Sequence, residues 1–117
     1  MANQGLLHIA LLTRDLKKTE RFYENVLGLR VAFRVPPNMV FFRSPGSRDL
    51  LNFIGTKKRV TPATQALQHF GFKTTNAGLK RLEKRLKENQ IDIEGRRGKR
   101  AIYFRDPNGY TIEYYSD

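Results

Sequence analysis

Cysteine is absent from the 117-residue chain, which excludes disulfides, thiolate nucleophiles, cysteine zinc sites and cysteine-held iron–sulfur clusters. No apolar run approaches the length that spans a bilayer. The opening stretch MANQGLLHIALLTRDL lacks a basic n-region, and His8 interrupts its short apolar run. No signal peptide is therefore expected, and a cytoplasmic domain is. Histidine is scarce as well, with His8 and His69 alone. Any imidazole chemistry must use one or both, and a Ser–His–Asp triad would have to be built around one of them. Acidic residues number 11 against 22 basic ones, a net charge of +11. With 39% hydrophobic and 28% charged residues, the composition is globular and the length fits one domain over residues 1–117.

What the chain does contain is a repeat. LLHIALLT predicts a strand. In RDLKKTERFYENVLGL, the residues Leu16, Thr19, Phe22, Tyr23 and Val26 fall at helical spacing. Thr13 or Asp15 is the expected N-cap and Gly28 the stop. RVAFRV, MVFFR and DLLNFIG read as three more strands, separated by Pro- and Gly-containing turns. The second half repeats the order. QHFGFKTT predicts a strand, and Thr75 or Asn76 caps a helix through LKRLEKRLKEN. Leu79, Leu82 and Leu86 lie on one face of that helix, and Glu83–Lys87 is an i,i+4 pair. IDIEG, AIYFRD and YTIEYY follow as strands, with Asp106-Pro107-Asn108-Gly109 as the turn before the last. The expectation is an α+β fold of two tandem βαβββ modules, about 5–56 and 66–116, joined by a connector at about 57–65.

The repeat extends to the polar residues. His8 and His69 open equivalent strands 61 positions apart, and Asn52 and Glu113 sit in the closing strands at the same 61-residue offset. Strand side chains alternate between faces, so Glu113 shares one with Thr111 and Tyr115. If the two halves pair about a pseudo-twofold axis, equivalent positions converge on one concave side. Two imidazoles and a carboxylate then meet with Asn52 beside them, a facial set suited to Fe(II), Mn(II), Ni(II) or Zn(II) with positions left open. Taken singly, a histidine in an apolar strand is more often a satisfied core residue. A glutamate within TIEYY is harder to bury without a partner.

Three segments carry a resemblance: Leu7-His8-Ile9-Ala10 with the helix behind it, Gln68-His69-Phe70-Gly71-Phe72, and Tyr103 through Glu113 with its DPNG turn. In these, and over essentially its whole length, the chain resembles the vicinal oxygen chelate superfamily of glyoxalases, extradiol dioxygenases, fosfomycin-resistance transferases and bleomycin-binding proteins. The resemblance implies paired modules curled as a mixed sheet around a metal cavity. It implies His8, His69 and Glu113 as ligands of one divalent ion, and a homodimer acting on a small molecule. Tyr103 and Asn52 are the expected catalytic side chains, with Thr111, Tyr115, Arg96 and Arg100 facing the substrate.

Each subclass lacks something here. Glyoxalase-type isomerisation uses carboxylates from both modules, whereas Asn52 accepts no proton. Ring-cleaving dioxygenases add a further histidine, for which only Tyr103, Tyr110 or Tyr115 could substitute. Fosfomycin transferases carry a hydroxyl two positions after the first histidine, where this chain has Ala10. A lyase, a dioxygenase and a thiol transferase all stay open. So does a non-catalytic protein that sequesters a drug or metabolite. The basic clusters Lys57-Lys58-Arg59 and Arg96-Arg97-Gly98-Lys99-Arg100 read as a solvated surface or as a funnel for an anionic substrate. Nucleic-acid binding is not expected, because the aromatic residues lie in strands rather than among the basic clusters.

Overall fold

A computed structural model describes residues 2–62 and 66–117. The chain divides into two compact units, Met1–Val60 and Thr61–Asp117. The division falls inside the expected connector, of which residues 63–65 lie outside the described residues.

The first unit runs β1 (His8–Thr13), α1 (Leu16–Arg21), β2 (Arg30–Val35), β3 (Met39–Arg43) and β4 (Leu50–Gly55). Its sheet order is β1-β4-β3-β2, with β1 parallel to β4 and the other pairs antiparallel. Asp15 is the N-cap of α1, accepting from the Lys18 N–H at 3.0 Å. The helix continues as a wider π-type turn over Phe22–Val26, closed by Leu27 N–H to the Phe22 carbonyl at 3.3 Å. It ends at Gly28, whose φ of 72° suits a residue without Cβ. Alternation in β3 and β4 sends Val40, Phe42, Leu51 and Phe53 to the buried face. The fully buried Tyr23 brings its ring 5.1 Å from Phe53 and 5.6 Å from Phe42. The opposite face carries His8, Ala10, Phe41 and Asn52.

The second unit repeats the plan with β5 (Phe70–Lys73), α2 (Asn76–Glu88), β6 (Gly95–Arg97), β7 (Ala101–Arg105) and β8 (Thr111–Tyr115). Its order is β5-β8-β7-β6, again with one parallel pair. Thr75 is the N-cap of α2, accepting from Gly78 N–H at 3.0 Å, and the helix buries its Leu79, Leu82 and Leu86 stripe. Ile102, Phe104, Ile112 and Tyr114 form the buried face of the sheet. In the Asp106–Gly109 turn, the Asp106 carboxylate accepts from the N–H groups of Asn108 and Tyr110, both at 2.9 Å.

Two local expectations are corrected. The strand expected over Ile91–Gly95 forms instead at Gly95–Arg97. The Ile91 N–H is taken by the Leu86 carbonyl at 2.9 Å in closing α2, so the chain leaves the helix later than its hydrophobic alternation suggests. Glu83 does not serve an i,i+4 pair with Lys87. It accepts from Arg96 at 2.8 Å, tying β6 to α2. Among the described residues, no helix is long and apolar enough to cross a membrane.

The aromatic cluster of the first unit gives a direct test. Phe53→Ala should lower unfolding free energy by about 3–5 kcal/mol, and Leu86→Ala in the second unit by about 2–5 kcal/mol. Urea denaturation measures both.

Candidate metal centre

The chemistry-bearing residues of the second unit gather on the sheet face opposite its apolar one. Gly71 stands across from Glu113 in the parallel pair and Tyr103 across from it in the antiparallel pair. His69, two residues before Gly71, is on the same side of the chain. Its Nε2 lies 3.5 Å from Glu113 Oε1. That is longer than a good N–H···O bond. It is close to the about 3.0–3.4 Å separating two adjacent ligands that each sit about 2.1 Å from one ion.

The far atoms of both groups are already occupied. His69 Nδ1 is hydrogen-bonded to the Gln68 side-chain carbonyl, which can only accept, so in the neutral ring the proton is on Nδ1 and the lone pair on Nε2. Glu113 Oε2 accepts from the Tyr103 hydroxyl at 2.7 Å and from Arg97 Nη2 at 3.1 Å. The Tyr103 ring also meets the His69 ring edge-on at 5.5 Å. Gly71 lies against this carboxylate, and a Cβ there would stand 3.4 Å from Oε1. Nε2 and Oε1 are thus a nitrogen and an oxygen donor whose companion atoms Nδ1 and Oε2 are already engaged, a donor pair that fits a divalent ion. Within the described residues of this unit, no third His, Asp or Glu joins the pair.

Glu113 is 8% exposed. Burial by itself raises its carboxyl pKa. The hydrogen bonds from Tyr103 and Arg97, with the charges of Arg97 and His69, outweigh that and hold it below the ordinary value. The carboxylate is therefore ionised at neutral pH.

An open groove of about 420 Å³ adjoins the pair, lined by Gln68, His69, Glu94, Gly95, Tyr103, Arg105 and Thr111. Arg105 Nε donates to Glu94 Oε1 at 3.0 Å along its wall. Of the residues the sequence singled out, Thr111 and Tyr103 are among those lining it. Tyr115 is half-buried beside Gly71. Arg96 is turned to Glu83, and Arg100 is exposed in the β6–β7 turn; neither lines the groove. The arginines that do serve this face are Arg97 and Arg105. Strand parity could have found Arg97, because once Gly95 pairs with Tyr103, the residue two positions after Gly95 shares the Tyr103 side. In the first unit, His8 is exposed on β1, while Asn52 on β4 is 5% exposed with no partner for Oδ1.

The sequence profile of the Glyoxalase/Bleomycin resistance protein/Dioxygenase superfamily matches residues 5–114, and the chain belongs to that superfamily. An iron-dependent extradiol dioxygenase of Rhodococcus jostii is 28% identical to it over 95% of this chain. The match spans only 42% of the dioxygenase's own length. The glutathione transferase FosA of Serratia marcescens is 25% identical over 96% of this chain and 80% of its own. Among solved structures, a glyoxalase/dioxygenase from Nostoc punctiforme superposes with a TM-score of 0.82 at 25% identity, covering 97% of this chain and 91% of that one. The two mixed four-stranded sheets with their helices are the fold of that group.

The balance at Glu113 is testable by titration. Tyr103→Phe removes a donor that opposes desolvation, so the carboxyl should titrate at higher pH, as read from its ¹³C shift. A carboxyl lowered on folding stabilises the protein above its unfolded pKa, and that contribution fades as pH falls through the folded value. The variant should therefore lose less stability in total on acidification, and complete that loss at a higher pH, than the wild type.

Proposed function

We propose that the chain is a divalent-metal-dependent enzyme acting in the cytoplasm, as a homodimer, on a small oxygenated and anionic molecule. The ion is Fe, Mn, Ni or Zn, and the ligands proposed for it are His8, His69 and Glu113. The observation that carries this reading is the 3.5 Å approach of His69 Nε2 to Glu113 Oε1 while the opposite atoms of both groups are engaged. The relatives, which include an iron-dependent dioxygenase, support it. The reaction class is that of a lyase, a ring-cleaving dioxygenase or a thiol transferase.

When bound, such an ion supplies Lewis acidity toward adjacent substrate oxygens. The chain's own residues do the rest. Gln68 holds His69 in the tautomer that leaves Nε2 available. Tyr103 and Arg97 keep Glu113 ionised and oriented through their hydrogen bonds to Oε2, the oxygen turned away from the ion. Thr111 offers a hydroxyl to a substrate in the groove, and Arg105 offers a guanidinium once Glu94 is displaced from it. Tyr103 is the side chain placed to exchange a proton, through its hydroxyl on Glu113 Oε2.

Elemental analysis of protein purified without chelator should find a stoichiometric transition metal, and His69→Ala or Glu113→Gln should lower metal affinity at least a hundredfold. Tyr103→Phe, which leaves the ligands in place, should lower it about tenfold, as removing a hydrogen bond that orients a ligating carboxylate does. Protein that neither contains nor takes up Fe, Mn, Ni or Zn would overturn the reading. Tight ligand binding that survives His69→Ala would favour a sequestering protein instead.

A further inference from the structure

The two units correspond position by position. Ala10–Asn52 in the first parallel pair stands where Gly71–Glu113 stands in the second. Phe41 pairs with Asn52 as Tyr103 pairs with Glu113. Phe33 opposes Phe41 as Gly95 opposes Tyr103, which makes Val35 the counterpart of Arg97. The first unit thus has an amide where the second has a carboxylate, and two apolar side chains where the second has the donors that hold it. The three differences agree with one another, since a phenol and a guanidinium have no anion to serve at Asn52.

What remains unexplained is the amide itself. Asn52 is 5% exposed and its Oδ1 has no hydrogen-bond partner. A buried carbonyl oxygen left unpaired is destabilising, and such groups are rare in native folds unless something outside the chain satisfies them. Its position indicates what that is. His8 is aligned with Leu50, so Asn52 lies two residues further along β4 on the same face. This is the diagonal step that brings His69 to within 3.5 Å of Glu113 in the other copy. The unsatisfied oxygen is therefore a near neighbour, on one sheet face, of the exposed imidazole of His8.

From this geometry we infer that Asn52 is a specificity-determining residue, accepting through Oδ1 a hydrogen bond from an O–H or N–H of the substrate. The inference rests on the reading of His8 as a metal ligand. An amide oxygen accepts a hydrogen bond without taking the proton, so Asn52 recognises a donor and does not act as a base. The class it selects is a small acid or related anion carrying a hydroxyl or N–H beside its ligating oxygen, in preference to an ether or ketone with acceptors only. A site built to hydrogen-bond a substrate donor discriminates strongly against the analogue that lacks it.

Glycolate and methoxyacetate test this, since both carry a carboxylate and an α-oxygen and only glycolate has the hydroxyl. Full-length wild type and Asn52→Leu, each loaded with Zn(II), are titrated with both anions by NMR and compared by thermal unfolding. Asn52→Leu should bind glycolate about tenfold to a hundredfold more weakly and methoxyacetate no differently. Its Tm should equal or exceed that of the wild type, because an apolar group of similar shape replaces an unsatisfied one. A lower Tm would make the amide a structural element and overturn the inference. So would equal glycolate affinity in the two proteins, or no glycolate binding by Zn(II)-loaded wild type. Wild type that takes up no Zn(II) is a separate result, which removes the metal reading and this inference with it.

Discussion

The parallel pairing of the first and last strands of each unit is the constraint on which the rest depends. It sets Gly71 against Glu113 and Ala10 against Asn52, and the same ladder continues for several residues either way. A shift of one residue would turn His69 and Glu113 to opposite faces, because the side-chain period of a strand is two. The register is itself held by burial. Phe72 stacks on Tyr114 at 5.0 Å, and Ile112 is fully buried on that face. A slip would drag these apolar groups into water. Hydrophobic packing on one side of the sheet thus fixes the polar geometry on the other.

At Glu113 two opposed effects of similar origin meet. Desolvation disfavours the anion, and the low dielectric that causes it also strengthens the hydrogen bonds and charges that favour the anion. Tyr103 and Arg97 tip the balance, so the carboxylate is buried and ionised together. Asn52 shows the other solution to burial at the same sheet position, a group that carries no charge to compensate. Duplication has left one scaffold with two chemically distinct copies of a single position.

Much of this could be read from the residues in order. The 61-residue offset anticipated the strand pairings, because identical register in two copies preserves the spacing of every polar residue on them. The caps at Asp15 and Thr75 and the stop at Gly28 followed from local chemistry that needs no tertiary context. The start of β6 did not, since it depends on how α2 closes through Ile91 and on where β7 offers its ladder. For the same reason the basic cluster was assigned to the groove through Arg96 and Arg100, while Arg97 and Arg105 serve that face. Which arginine of a run reaches inward is decided by a single residue of register. Glu83 turns to Arg96 rather than to Lys87 likewise, because helix spacing alone carries no information about the strand beside it.

The Arg105–Glu94 pair on the groove wall has both side chains about half exposed, at 51% and 46%. An anion entering the groove does not find a bare cation; it must exchange with a carboxylate already seated on that guanidinium. Dissolved salt screens the old pair and the new one alike. Retention of a ligand there would then be governed less by ionic strength than by how well its shape and hydrogen-bonding groups match the neighbouring hydroxyls, and such a wall would sort anions by structure and not by charge alone.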